Sequence, residues 1–140
     1  MTVEALIACV LTDNKKIDEV LPIVKKDMFY DVFNKIVWDK IVTLYKGGVK
    51  VDITTIKSQL KNSDAPSGTP MYKITTYFDK MTSPSFASQY AKNIYEKSEL
   101  RNLKNIVTNI QKTIGTDNTK TSDFLSKIHN SIGNILSIHG

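Results

Sequence analysis

The chain has 140 residues, one domain's worth, with 41% hydrophobic and 24% charged residues, a balance close to that of a soluble globular fold and too apolar for intrinsic disorder. Nineteen Lys and Arg against 14 Asp and Glu give a net charge of +5, enough for weak attraction to phosphate but short of a committed nucleic-acid binder. Cys9 is the single cysteine, which excludes a disulfide framework and a Cys-based metal site.

In chain order the periodicity is helical almost throughout. Val3, Leu6, Ile7, Val10 and Leu11 fall on one stripe of a short helix, and the small Ala8 and Cys9 allow a neighbour to pack closely. Asp13-Asn14 stops this helix and starts another around Ile17 to Val20, which Pro22 ends. Phe33, Val37, Ile41 and Leu44 mark a longer helix from about Asp31 to Tyr45, closed by Gly47-Gly48, a pair that accepts a left-handed cap. Asp52 reads as the N-cap of a helix carrying Ile53, Ile56 and Leu60.

The stretch Asn62 to Gly68 is the clearest loop. Thr69-Pro70 then opens a helix with Met71, Ile74, Phe78 and Met81 inward, and Ser83-Pro84 repeats that start signal. No alternating run with hairpin punctuation occurs, so the expected fold class is all-α.

From Ser85 to Ile114 there is neither proline nor glycine, which allows a helix of about 28 residues and roughly 42 Å. Leu100, Leu103, Val107, Ile110 and Ile114 are spaced 3, 4, 3, 4, a heptad seam. The polar segment Gly115 to Lys120 breaks the helix, and a second one carries Leu125, Ile128, Ile132 and Ile135. Two such helices make an antiparallel hairpin. It either folds back as core on a globular head or pairs with a second hairpin; the expected division is a helical head over 1–82 and a hairpin over 83–140.

Signals for chemistry are thin. Gly47-Gly48-Val49-Lys50 lacks the spacing of a phosphate-cradling P-loop, and no G-x-G-x-x-G occurs. His129 and His139 have no Cys or carboxylate at ligand spacing, so no metal site is expected. Cys9 lies in an apolar stripe and reads as a structural thiol. The carboxylates Asp13, Asp31, Asp52 and Asp123 sit near helix starts, where capping and the helix dipole explain them. No catalytic residue and no cofactor site is expected.

Tyr72, Tyr77, Phe78, Phe86, Tyr90 and Tyr95 lie among lysines, as in single-strand binders, but they recur at helical spacing and read better as packing residues. Arg101 is the only arginine, which argues against reading of base edges. No apolar run approaches the ~20 residues of a membrane span, and the opening MTVEALIACVLTDNKK lacks a signal peptide's basic front and cleavage site. A cytoplasmic protein without membrane contact is expected.

The first 60 residues resemble the N-terminal domain of the DnaB-type hexameric replicative DNA helicase family. The resemblance rests on Leu6-Ile7-Ala8-Cys9-Val10-Leu11-Thr12-Asp13-Asn14, on Asp27-Met28-Phe29-Tyr30 followed by Asn34-Lys35-Ile36-Val37-Trp38, and on the run from Leu44-Tyr45 through Gly47, Val51-Asp52 and Thr55-Ile56. Thr82-Ser83-Pro84, Tyr90-Ala91, Glu96-Lys97 and Leu100-Arg101-Asn102-Leu103 are similar to the start of the family's long hairpin helix. The chain departs from the family at Asn34, where a histidine is common, at Asn102, where a second arginine is usual, and at the shortened Gly68-Thr69-Pro70-Met71-Tyr72. It resembles a divergent member of that family.

The resemblance implies an all-α head plus hairpin, acting as a non-catalytic collar of a helicase ring. Its domains would pair as dimers, three pairs to a hexamer, and dock primase and, in some systems, a helicase loader. DNA would be met only weakly or indirectly. ATP and magnesium would belong to a separate RecA-like domain, absent from these residues, and the apolar ending Ile138-His139-Gly140 reads as a cut within a longer chain. Leu100, Leu103, Val107, Ile110, Leu125, Ile128 and Ile132 are the expected hairpin packing and pairing residues. Tyr72 and Ile110 map onto the family's primase or loader docking site. The alternatives are a stand-alone protein that binds and regulates a helicase or primase, and a small basic DNA-binding protein.

Overall fold

A computed structural model of the chain describes residues 2–65, 68–114 and 121–139. Seven α-helices, and no strand, occur among them: α1 Thr2–Thr12, α2 Lys15–Val20, α3 Val32–Lys46, α4 Ile53–Gln59, α5 Pro70–Tyr77, α6 Ala87–Ile114 and α7 Thr121–His139. Single 3-10 turns occupy Lys26–Met28, Asn62–Asp64, Phe78–Lys80 and Pro84–Phe86. The expected break at Gly115 to Lys120 lies outside the described residues, as do Pro66 and Ser67 and the side chains of Ile114, Ile135 and His139.

The chain divides into two compact units, Met1–Glu96 and Lys97–Gly140. The division falls inside α6. The reason is packing: Ala87, Ala91 and Ile94 on the first turns of α6 are buried in the core of the first unit.

In the first unit α1 is the central element. Ala5 to Leu11 are all buried, so the expected one-sided stripe is a helix covered all round. It packs against α2, α3, α5 and the turns at Phe78–Lys80 and Pro84–Phe86. The close approach that Ala8 and Cys9 allow is made by the Ser83 turn, where the Cys9 thiol lies 3.6 Å from the Ser83 carbonyl oxygen. Helix α3 contributes Phe33, Val37, Trp38, Ile41 and Leu44 to the same core, and Trp38 meets Phe29 edge to face with ring centroids 5.6 Å apart. The Tyr45 hydroxyl donates to Asp18, tying α3 to α2.

The helix ends follow local chemistry. Asp31 caps α3 by accepting from the Phe33 N–H at 2.8 Å. Asp52 caps α4 by accepting from the Thr55 N–H at 2.9 Å, while Thr55 Oγ1 accepts from the Asp52 N–H at 2.9 Å, a reciprocal capping box. Gly48, at φ 74°, takes the left-handed conformation that a side chain would strain. Pro70 opens α5 at its first position, where the missing N–H costs nothing.

The structure differs from the sequence expectation at the end of α5. The α-helix stops at Tyr77 and tightens to a 3-10 turn. Tyr77, not Met71, Phe78 or Met81, is the fully buried partner of Ile74, and the other three are partly buried against the core. Its ring is accommodated because its hydroxyl donates to Asn34 Oδ1 at 2.6 Å, so neither polar group is left unpaired in the core.

The second unit carries the remainder of α6 together with α7, the two arms of an antiparallel helical hairpin.

Candidate functional site

Within the second unit only part of the expected seam is covered. Ile106, Asn109, Ile110 and Thr113 of α6 face Lys127, Ile128 and Ser131 of α7 across a cleft of about 520 Å³. Of the residues singled out from the sequence, only Ile110 and Ile128 line it, both half-buried. Ile106 was missed. Its signal is the four-residue spacing to Ile110, masked by the more regular heptad through Leu103 and Val107.

The other seam side chains among those described are largely in water. Leu100, Leu103 and Val107 on α6 are 58%, 48% and 47% exposed, and Leu125 and Ile132 on α7 are 57% and 47% exposed. At 3.6 residues per turn, Ile110 lies only about 20° round α6 from Leu103 but roughly 10 Å further along it, so the apolar band is partly covered at the cleft and left bare at Leu103. Five large aliphatic side chains on one two-helix unit exceed the scattered apolar exposure that needs no explanation.

In the first unit Tyr72, on α5, is 73% exposed. Its neighbour Lys73 reaches Asp31 at 3.5 Å and lies 4.6 Å above the Phe33 ring, which ties α5 to the start of α3. Tyr30 and Val32 flank Asp31 there, 87% and 67% exposed. Sequence reasoning placed Tyr30 in a motif but not on a surface. The other aromatics separate by role: Tyr77 is buried, Phe78 and Tyr90 are half-buried, and Phe86 stands 46% exposed beside Tyr90.

No arrangement among the described residues points to catalysis. The Cys9 thiol is fully buried, and burial pushes it up to about 11, against a lowering by Lys16; such a thiol is a poor nucleophile at neutral pH. Burial, with Glu4 and Asp31 nearby, also raises the Tyr77 hydroxyl. Among the described residues no three His, Cys, Asp or Glu are gathered as a metal would require. His129 is exposed on α7. No helix among them is long and apolar enough to cross a membrane.

The model of the DnaB-like helicase N-terminal domain matches residues 3–96, the span of the first compact unit. The chain belongs to the DnaB-like helicase N-terminal domain family. The crystal structure of the N-terminal domain of DnaB helicase from Mycobacterium tuberculosis has the same fold, with a TM-score of 0.83 over 95% of this chain and 94% of that one at 19% identity. No curated protein matches the sequence. Membership in the DnaB-like family places the chain in DNA replication, as a non-catalytic helicase N-terminal domain of scaffold type. The all-α head and hairpin implied by the resemblance are what the DnaB-like fold shows.

Proposed function

We propose that this chain is the N-terminal collar of a hexameric replicative DNA helicase, assembling through its hairpin and docking primase or a helicase loader. The observation that carries the reading is the exposure of five aliphatic side chains, Leu100, Leu103, Val107, Leu125 and Ile132, on the hairpin unit. A second copy presenting the same side chains would bury them, each worth about 1.5–3 kcal/mol on full burial. Such a contact is isologous, the geometry of most homodimers. Three such pairs would make the collar.

Docking of primase or a loader falls to Tyr72, with Ile110 assigned to the same role. Tyr72 is supported by its exposure, since tyrosine is enriched in protein interfaces and among their energetic anchors. Ile110 is half-buried in the cleft with Ile128, so hairpin packing is its better supported role. ATP and magnesium would act in a RecA-like domain on a longer chain, and DNA would be met only weakly.

Reading the gene past codon 140 tests the proposal. It expects an in-frame linker helix and a G-x-x-x-x-G-K-[ST] motif. A stop codon would overturn it and leave a stand-alone relative that binds a helicase or primase.

A further inference from the structure

The segment from α2 into α3 forms a groove on the first unit with an apolar floor and a lysine rim. Leu21, Val24, Trp38 and Val42 line a cavity of about 210 Å³, with Lys25, Lys26 and Lys46 around it. A second cavity of about 360 Å³ shares Lys26 and Asp39 with the first and adds Lys35, Lys40 and Lys61. Together six lysines meet three aspartates, Asp27, Asp39 and Asp64. Asp39 pairs with Lys26 at 3.5 Å, and Asp64 accepts from the Lys61 backbone N–H at 2.8 Å, so the lining keeps its excess of lysine over aspartate. Lys25 donates to the Leu21 carbonyl oxygen at 3.2 Å, and both residues line the smaller cavity.

The chemistry of the occupant follows from these surroundings. The floored cavity is smaller than the ~300 Å³ at which small-molecule pockets begin, and it suits a single side chain. The rim attracts negative charge. A nucleic-acid strand would need exposed rings for its bases to stack on, and the one aromatic lining either cavity, Trp38, is 2% exposed. We propose that this groove docks an acidic peptide segment of a partner protein, seating one aliphatic side chain against the half-buried Leu21 and Val42, beside Trp38, while its carboxylates meet the lysine rim.

Trp38 is the chain's only tryptophan, so its fluorescence reads the floor directly. The full chain is titrated with a synthetic peptide of aspartates and glutamates carrying one central leucine. The expected result is a saturable emission change whose affinity falls as salt rises. Alanine in place of the peptide leucine should weaken binding by at least about tenfold, since the lost burial exceeds 1.4 kcal/mol. Lys25→Glu combined with Lys46→Glu should weaken it as much, with unchanged circular dichroism and Tm. Lys92→Glu combined with Lys97→Glu, the same charge change on α6, should have little effect. The proposal is overturned by no saturable change, by equal binding of the alanine peptide, by equal loss in both charge-reversal pairs, or by oligothymidylate displacing the peptide.

Discussion

The carboxamide of Asn14 pairs with both backbone groups of Val51: the Val51 N–H donates to Asn14 Oδ1 at 2.8 Å, and Asn14 Nδ2 donates to the Val51 carbonyl at 2.6 Å. The same Nδ2 reaches the Val10 carbonyl at 2.8 Å. One side chain thus fastens the end of α1 to the residue that leads into the Asp52 cap. Two segments that resemble the DnaB family, at Asp13-Asn14 and Val51-Asp52, are partners in space.

Asn14→Ala removes the partners of both groups of Val51, a residue with no exposed surface. Each buried unpaired group costs about 1–3 kcal/mol. Urea unfolding should show a loss of about 2–4 kcal/mol with a similar m value. A loss below about 0.5 kcal/mol, the range of an ordinary surface substitution, would contradict the clamp.

The Tyr77–Asn34 hydrogen bond makes a second prediction, with a sign that depends on how many partners are removed. Tyr77→Phe leaves Asn34 Oδ1 unsatisfied in the core and should cost about 1–3 kcal/mol. Adding Asn34→Leu removes the orphan and should recover part of that loss, seen as a favourable coupling in a double-mutant cycle. Additive losses would place the cost elsewhere.

Alkaline pH should weaken the fold through Cys9. Its thiol is raised to about 11 by burial, while in the unfolded chain it ionises near its ordinary value of about 8.5. Between those values the unfolded state releases the proton and the folded state keeps it, so stability is full below about pH 8.5 and falls as pH rises towards 11. The raised Tyr77 hydroxyl acts in the same direction at still higher pH. Tm measured from pH 8 to 11 should fall less steeply in Cys9→Ala than in the parent chain. Iodoacetamide should label Cys9 only on unfolding.

Tyr72→Ala separates docking from folding. A side chain this exposed should change stability by no more than about 0.5 kcal/mol. Calorimetric titration with the helicase-binding domain of primase should show binding weakened by about tenfold or more, as for an interface anchor. Unchanged affinity would remove Tyr72 from the docking surface.

Much of this fold is written locally. Asp31, Asp52, Gly48 and Pro70 each act through their own backbone, so the helix boundaries they set were legible from residue type alone. What was not legible depends on three-dimensional neighbours. Nothing in the stripe of α1 says that its other side is covered too, and nothing in the pattern of α5 says that the Tyr77 hydroxyl finds Asn34, 43 positions away. The hairpin seam shows the same limit. A 3-4 spacing names an apolar band, but only the placement of α7 separates Ile106 and Ile110, on the cleft, from Leu100, Leu103 and Val107, in water.

The collar reading rests on those bare side chains, and light scattering coupled to size exclusion tests it most directly. The parent chain should run at twice its 15.8 kDa. Leu103→Asp, which places a charge among them, should run as a monomer with its helicity unchanged. Asn102→Asp, exposed one residue away, should remain a dimer. A parent chain that stays monomeric at every concentration, or a Leu103→Asp variant that still dimerises like the parent, would contradict the account.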